Sequence, residues 1–219
     1  MPTDQPRAKA ASRARTRRLF LALWPDEPMR AAMVQATRKA ARSGGARPVP
    51  SENLHVTLAF LGSVREERLA ELVGIARQAA ASCLGGALAF EHLEYWRAAQ
   101  LLCALPIELP AWLAALARAL QDLLARRGFA PDLKPFRPHV TVARKVSRPG
   151  SITSMPLVAW SFTEIALIES RTRAPRHLES RAGLSEQSPL YSVVESFPLC
   201  GGTTKSAGPS NAENNSEKP

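Results

Sequence analysis

His55-Val56-Thr57-Leu58-Ala59 and His139-Val140-Thr141-Val142-Ala143 are one five-residue phrase written twice in a chain of 219 residues. Each copy follows a proline-bearing loop and lies in an apolar run. Side chains alternate faces along an extended strand, so His55 and Thr57 point one way and Val56 and Leu58 the other. The second copy repeats this with His139 and Thr141 against Val140 and Val142. The chain holds 4 His and ten Thr, and random placement would give roughly 0.2 His-x-Thr pairs. A duplicated unit accounts for the pair better than two half-buried strands that each happen to carry a histidine.

The elements around each copy repeat as well. Leu19-Phe20-Leu21-Ala22-Leu23 reads as a buried strand. Asp26 caps a helix with Pro28 in its first turn, closed by Ser43-Gly44-Gly45. His55 then opens a strand to about Leu61 that Gly62 breaks. In the other half, a strand begins at Leu101, a helix runs from Pro110 to Arg127 with Gly128 at its end, and a proline-rich lead brings the chain to His139. Between the halves, Ser63-Val64-Arg65-Glu66 reads as a capping box before a helix with Leu69, Leu72, Val73 and Ala76 on its apolar stripe. Ala89 to Trp96 is a further strand. After Arg144 the expectation is a polar loop, one strand from Ser161 to Glu169 with Phe162, Ala166 and Ile168 sharing a face, a long loop over 170–189, and a last strand from Tyr191 to Leu199. The pattern predicts an α+β fold of two like lobes: two antiparallel sheets facing a central cleft, with helices outside. Expected boundaries are a disordered basic arm over 1–17, one bilobal domain over 18–200 and a disordered tail over 201–219.

The net charge is +10. Half of that excess sits within residues 1–18, where six basic side chains face Asp4 alone. The rest favours an anionic partner such as nucleic acid. No apolar run approaches the ~20 residues of a membrane-spanning helix, and the arm lacks the apolar segment of a secretory signal. Cys83, Cys103 and Cys200 form no Cys-x-x-Cys pair, which favours a reducing compartment, read as the cytoplasm, over a disulfide or zinc framework.

Two imidazoles across a cleft suit general acid-base chemistry, one taking a proton from a nucleophile while the other gives one to a leaving group. Two hydroxyls on the same faces, with nearby arginine, would hold a phosphate between them. A phosphodiester fits, and the protein supplies both acid and base, so no metal or other cofactor is expected. The chain carries no Gly-x-Ser-x-Gly, no Walker-type loop, no Gly-x-Gly-x-x-Gly and no His-Glu-x-x-His. His92 and His177 stand outside the repeat and read as strand and loop residues.

The paired motifs resemble those of the two-histidine phosphoesterases. Arg18-Leu19-Phe20-Leu21-Ala22-Leu23-Trp24-Pro25, Asn53 to Gly62 and Phe136 to Arg144 look like the RNA 2′,3′-cyclic phosphodiesterase branch, also called 2′-5′ RNA ligase, over about residues 18–199. The resemblance implies hydrolysis of a 2′,3′-cyclic phosphate at an RNA end to a 2′-phosphate, and ATP-independent, reversible joining of tRNA halves. It implies His55 as proton donor, His139 as proton acceptor, and Thr57 and Thr141 on the phosphate oxygens, with Arg144 as a further phosphate or RNA contact. It also implies an RNA partner; a monomer with no membrane association is expected. Simple alternation puts Phe60 opposite His55, in the core. The long arm, the segment Thr172 to Pro189 and the tail depart from the family pattern. Two other readings compete: a related enzyme acting on a small cyclic nucleotide or nucleotide-sugar cyclic phosphate, and a non-catalytic RNA-binding module. An aromatic fraction of 6% speaks against a base-stacking platform.

Overall fold

A computed structural model of the chain describes residues 15–129, 135–148, 150–151, 153–171 and 191–201. Expectations for the arm before residue 15, His177, the rest of the loop over 172–190 and the tail after 201 lie outside these residues. Among the described residues, nine strands and three α-helices follow in chain order. β1 is Thr16–Leu23, α1 Glu27–Ala41, β2 Arg47–Pro48, β3 Val56–Arg65, α2 Leu69–Ala81, β4 Gly86–Trp96, β5 Leu101–Pro106, α3 Ala111–Arg126, β6 Val140–Arg144, β7 Ser154–Phe162, β8 Glu164–Ser170 and β9 Tyr191–Pro198.

The α+β class and the antiparallel pairing are as the sequence predicts. All strands join one sheet in the order β7-β4-β5-β6-β3-β1-β8-β9, with β2 beside β6. The two half-sheets are therefore continuous rather than separate, and they meet where Val56 pairs with Val140. The helices pack on one face: α1 against β6 and β7, α2 against β8 and β9, and α3 against α2 and β3. Each motif's apolar residues, Val56 with Leu58 and Val140 with Val142, are buried in that helix-covered core. The other face carries its own small cluster of Phe20, Ala22, Ala166 and Ile168, packed by Trp24 and Tyr191. Among the described residues no helix is long and apolar enough to cross a membrane.

Local chemistry explains most element ends. Asp26 caps α1 by accepting a hydrogen bond from the Met29 amide at 3.1 Å. α3 presents Leu113, Leu116, Ala117, Leu120 and Leu124 to the core and ends before Gly128, at φ +67°. Four expectations need correction. β1 begins at Thr16, because Thr16 and Arg17 pair with Arg65 and Val64; Arg17 also binds Glu169 at 2.7 Å. Gly62 does not break β3. It takes φ +67° beside a register shift, bending the strand where a β-carbon would be strained. The expected capping box does not form, because Ser63 to Arg65 stay in the ladder with β1. A 3-10 turn over Glu66–Arg68 leads into α2 instead, with no side-chain cap.

The fourth correction concerns 154–170, where two strands replace one. Val158, Trp160 and Phe162 alternate inward along β7, and Pro156 is tolerated because β7 lies at the edge of the sheet. The break at Thr163 puts Phe162 in the helix-covered core, while Ala166 and Ile168 stay on the opposite face.

Candidate active site

Val56 pairs with Val140 in antiparallel register. The same register sets His55 opposite Thr141, and Thr57 opposite His139. Paired residues point to one side of a sheet, so all four polar side chains stand together on the helix-free face. The two histidines are diagonal neighbours, ~7–8 Å apart at the backbone. Each histidine sits just before its strand, and each is held in the same way. His55 Nδ1 lies 2.7 Å from the carbonyl oxygen of Asn53, and His139 Nδ1 lies 2.9 Å from that of Arg137. A carbonyl only accepts, so each Nδ1 carries the proton and donates. That leaves each Nε2 as the nitrogen free for chemistry, with a bare lone pair when the ring is neutral.

The surroundings of the two rings differ. His55 lies in an aromatic box: Phe20 at 4.9 Å, Trp24 stacked at 5.6 Å and Tyr191 edge-on at 5.3 Å between centroids. Burial lowers its pKa to about 4, the Asn53 carbonyl opposing and the His139 and Arg144 charges adding slightly. His139 packs against Trp96 at 4.3 Å. Its pKa is also lowered, by burial first, with the Arg137 carbonyl opposing and the Arg137 and Arg144 charges adding. Arg137 ion-pairs through both terminal nitrogens with Glu94, and its guanidinium lies 5.3 Å from the Trp96 ring centre. Both imidazoles are thus neutral at neutral pH until an anion enters.

Sequence alternation put Phe60 in the core, and the structure corrects this. Ala22 pairs with Thr57 but Leu21 with Ala59, so Leu58 is an extra residue. Leu58 and Ala59 both face the helix-covered core. This bulge resets the alternation and returns Phe60 to the His55 face, where it is 40% exposed under Arg18, 5.0 Å from its ring centre. The second motif does the same. Cys103 pairs with Thr141 and Leu102 with Ala143, leaving Val142 extra. Arg144 therefore returns to the face of His139 and Thr141, and its charge bears on both histidines. Phe60 and Arg144 are counterparts, each three residues after its threonine.

Cys103 lies beside Thr141 with no exposed surface. Burial pushes its thiol up to about 12, so it stays protonated and is no rival nucleophile. His92 lies on β4, paired with Leu105. Among the described residues no group of three or more His, Cys, Asp or Glu is placed to hold a metal ion. The structure thus brings together His55, Thr57, His139, Thr141 and Arg144. Sequence reasoning missed Phe20, Trp24, Trp96 and Tyr191 as ring contacts. The overall aromatic fraction hid how many of these residues the fold gathers at one place.

Residues 24–173 match the 2′-5′ RNA ligase superfamily. The chain belongs to this family. It is 33% identical over 160 residues to the Escherichia coli RNA 2′,3′-cyclic phosphodiesterase, covering 70% of this chain and 86% of that protein. A Geobacillus stearothermophilus protein of the same description is 29% identical over 160 residues, and the match spans 48% of its length. The chain thus corresponds to about half of that relative. Escherichia coli LigT, solved in complex with 3′-AMP, superposes with a TM-score of 0.71 at 25% identity, covering 84% of this chain and 99% of LigT.

Proposed function

We propose that this member of the superfamily is an enzyme that hydrolyses a 2′,3′-cyclic phosphate at the 3′ end of RNA to a 2′-phosphomonoester. The observation that carries the reading is the pair of Nδ1-tethered histidines, each facing the other motif's threonine across the Val56–Val140 pair. The names of the relatives support the substrate. The threonine hydroxyls and the Arg144 guanidinium hold the non-bridging oxygens, placing phosphorus between the two Nε2 atoms. His139 Nε2 takes a proton from water as the water oxygen bonds to phosphorus. The bond from phosphorus to the 3′ oxygen breaks, and His55 Nε2 gives its proton to that oxygen. One imidazole gains a proton as the other loses one, and solvent restores both. The four motif side chains are symmetrically placed, so the acid and base roles come from the resemblance. His55 needs its proton at the start, and the bound phosphate anion, in a site that water leaves, raises its pKa from the ligand-free value.

A 5′-hydroxyl in place of water would attack the same cyclic phosphate with the same histidine roles, His139 taking its proton and His55 protonating the departing 3′ oxygen. It would join two RNA ends by a 2′-5′ linkage without ATP; attack of the 3′-hydroxyl on that linkage, with the roles exchanged, would reverse it. Halves of a cleaved tRNA are suitable ends. Both histidines come from one chain, so a monomer suffices. The free cysteines fit a reducing compartment, and we place the reaction in the cytoplasm.

The test is a short RNA ending in a 2′,3′-cyclic phosphate, incubated with chelator and no ATP, with the end group identified afterwards. Wild type is expected to leave a 2′-phosphate, with turnover cut ~10²–10⁴-fold in each of His55→Ala and His139→Ala while RNA is still bound. An unchanged end in the presence of bound RNA would overturn the proposal.

A further inference from the structure

Basic residues are unevenly compensated around the cleft. On the β1–β9 side, three arginines are paired, Arg17 with Glu169 at 2.7 Å, Arg77 with Glu195 at 2.8 Å and Arg68 with Glu71 at 2.8 Å, while Arg18 lies over the Phe60 ring. On the β2–β6 side, Arg38, Arg42, Arg47, Arg144, Lys145 and Arg148 are all exposed. Among the described residues, none of these six forms an ion pair.

The six are contiguous. Arg47 stands directly opposite Arg144 in the β2–β6 ladder. Arg38 and Arg42, from the last turns of α1 and its end, line a depression of about 90 Å³ with Pro48, next in the chain to Arg47. Arg148 donates its amide to the Gly44 carbonyl at 3.3 Å, fastening the loop after β6 to the end of α1. Lys145 has φ 54°, a conformation costly for a residue with a β-carbon. It is held there because Val146 is buried and its amide and carbonyl are bonded to Gln100 and Tyr95, which leaves Lys145 on the rim. Six exposed like charges without ion-pair partners give this strip a positive potential that an anion would neutralise.

We propose that this strip docks the body of the RNA whose reactive end enters the cleft, its cations lying along successive backbone phosphates. The inference deepens the function proposed above and rests on it. Arg144 is the junction, touching the site at one side and the strip at the other. The strip is sequence-blind: arginine and lysine reading phosphates confer affinity and register without choosing bases. It would make RNA a better substrate than a lone nucleoside cyclic phosphate.

The test uses the full chain and the variant Arg38→Gln/Arg42→Gln/Arg148→Gln, whose changes lie on the surface outside the cleft. Binding of a fluorescent RNA ending in a 2′-phosphate is followed by anisotropy across a salt series. In parallel, kcat/KM is measured for an RNA ending in a 2′,3′-cyclic phosphate and for a nucleoside 2′,3′-cyclic monophosphate. Each lost phosphate contact on a single strand removes ~0.7 from the slope of log affinity against log salt, or about fivefold in affinity at about 0.1 M salt. The triple variant should therefore bind RNA about 100-fold more weakly with a flatter slope, at unchanged kcat/KM for the mononucleotide and unchanged Tm. Equal RNA binding in the two proteins would overturn the proposal. So would equal losses on both substrates, or binding lost to vesicles of anionic lipid and retained for RNA. If wild type hydrolyses neither substrate, the proposed function fails, while the anisotropy series still decides the docking surface.

Discussion

Acidifying the ligand-free protein should destabilise it through His55. The aromatic box lowers its pKa to about 4, against 6.5 for the unperturbed group. Between those values the unfolded chain takes up a proton that the folded chain refuses. Unfolding is therefore favoured as pH falls from 6.5 towards 4, and the full stability is present above 6.5. By pH 4 the loss attributable to His55 is about 3 kcal/mol. Carboxylates titrate in the same range, so the measurement must be a difference. Urea unfolding of wild type and His55→Gln at several pH values from 7.5 to about 4 isolates it. The wild-type curve should fall more steeply, and the gap between the two curves should narrow or reverse by about 2–3 kcal/mol over the window. Saturating inorganic phosphate should shrink the effect, because an anion between the imidazoles favours the protonated ring. Parallel stability profiles would refute the reasoning, as would His55 ring resonances that titrate at or above 6.5 without ligand.

Thr57→Val and Thr141→Val should each raise KM for the cyclic phosphate about tenfold or more, through loss of a hydrogen bond to a charged oxygen; steady-state kinetics with KM unchanged in both would remove the threonines from phosphate binding. Glu94→Gln should free Arg137, whose carbonyl orients His139, and reduce kcat several-fold. Tm should barely move in that variant, since an exposed pair contributes about 1 kcal/mol or less; a lower KM at unchanged kcat would instead make Arg137 a phosphate contact that Glu94 restrains. Gly62→Ala should cost about 1–2 kcal/mol by thermal unfolding through its positive φ alone, because an added β-carbon meets nothing within 4 Å; no change in Tm would mean that β3 relaxes there.

The repeat made most of the fold legible. A strand, a helix and a proline-bearing loop before each His-x-Thr phrase reappear as β1-α1-β3 and β5-α3-β6. Apolar periodicity located α1, α2 and α3, because an amphipathic face is a local property of the chain. What stayed hidden depends on partners. The extra residues at Leu58 and Val142 are defined only by register against β1 and β5, so Phe60 could not be placed by counting along β3. Ser63 to Glu66 has the composition of a cap, yet ladder pairing with β1 prevailed over it. β7 was obscured by Pro156, whose tolerance depends on lying at the sheet edge. The aromatic box joins Phe20, Trp24 and Tyr191, from segments far apart in sequence, around His55.

The pairing of Val56 with Val140 has a consequence for direction. A rotation of half a turn about that pair exchanges His55 with His139 and Thr57 with Thr141, so these four side chains alone would accept a substrate equally well forwards or backwards. A nucleotide has no such two-fold axis. Polarity must come from what the rotation fails to match. Phe60 falls on Arg144, and the aromatic box falls on the ion-paired side of Trp96 and Arg137. The duplicated phrase thus supplies a reversible pair of proton carriers, and the unlike neighbours decide which way round a strand is read.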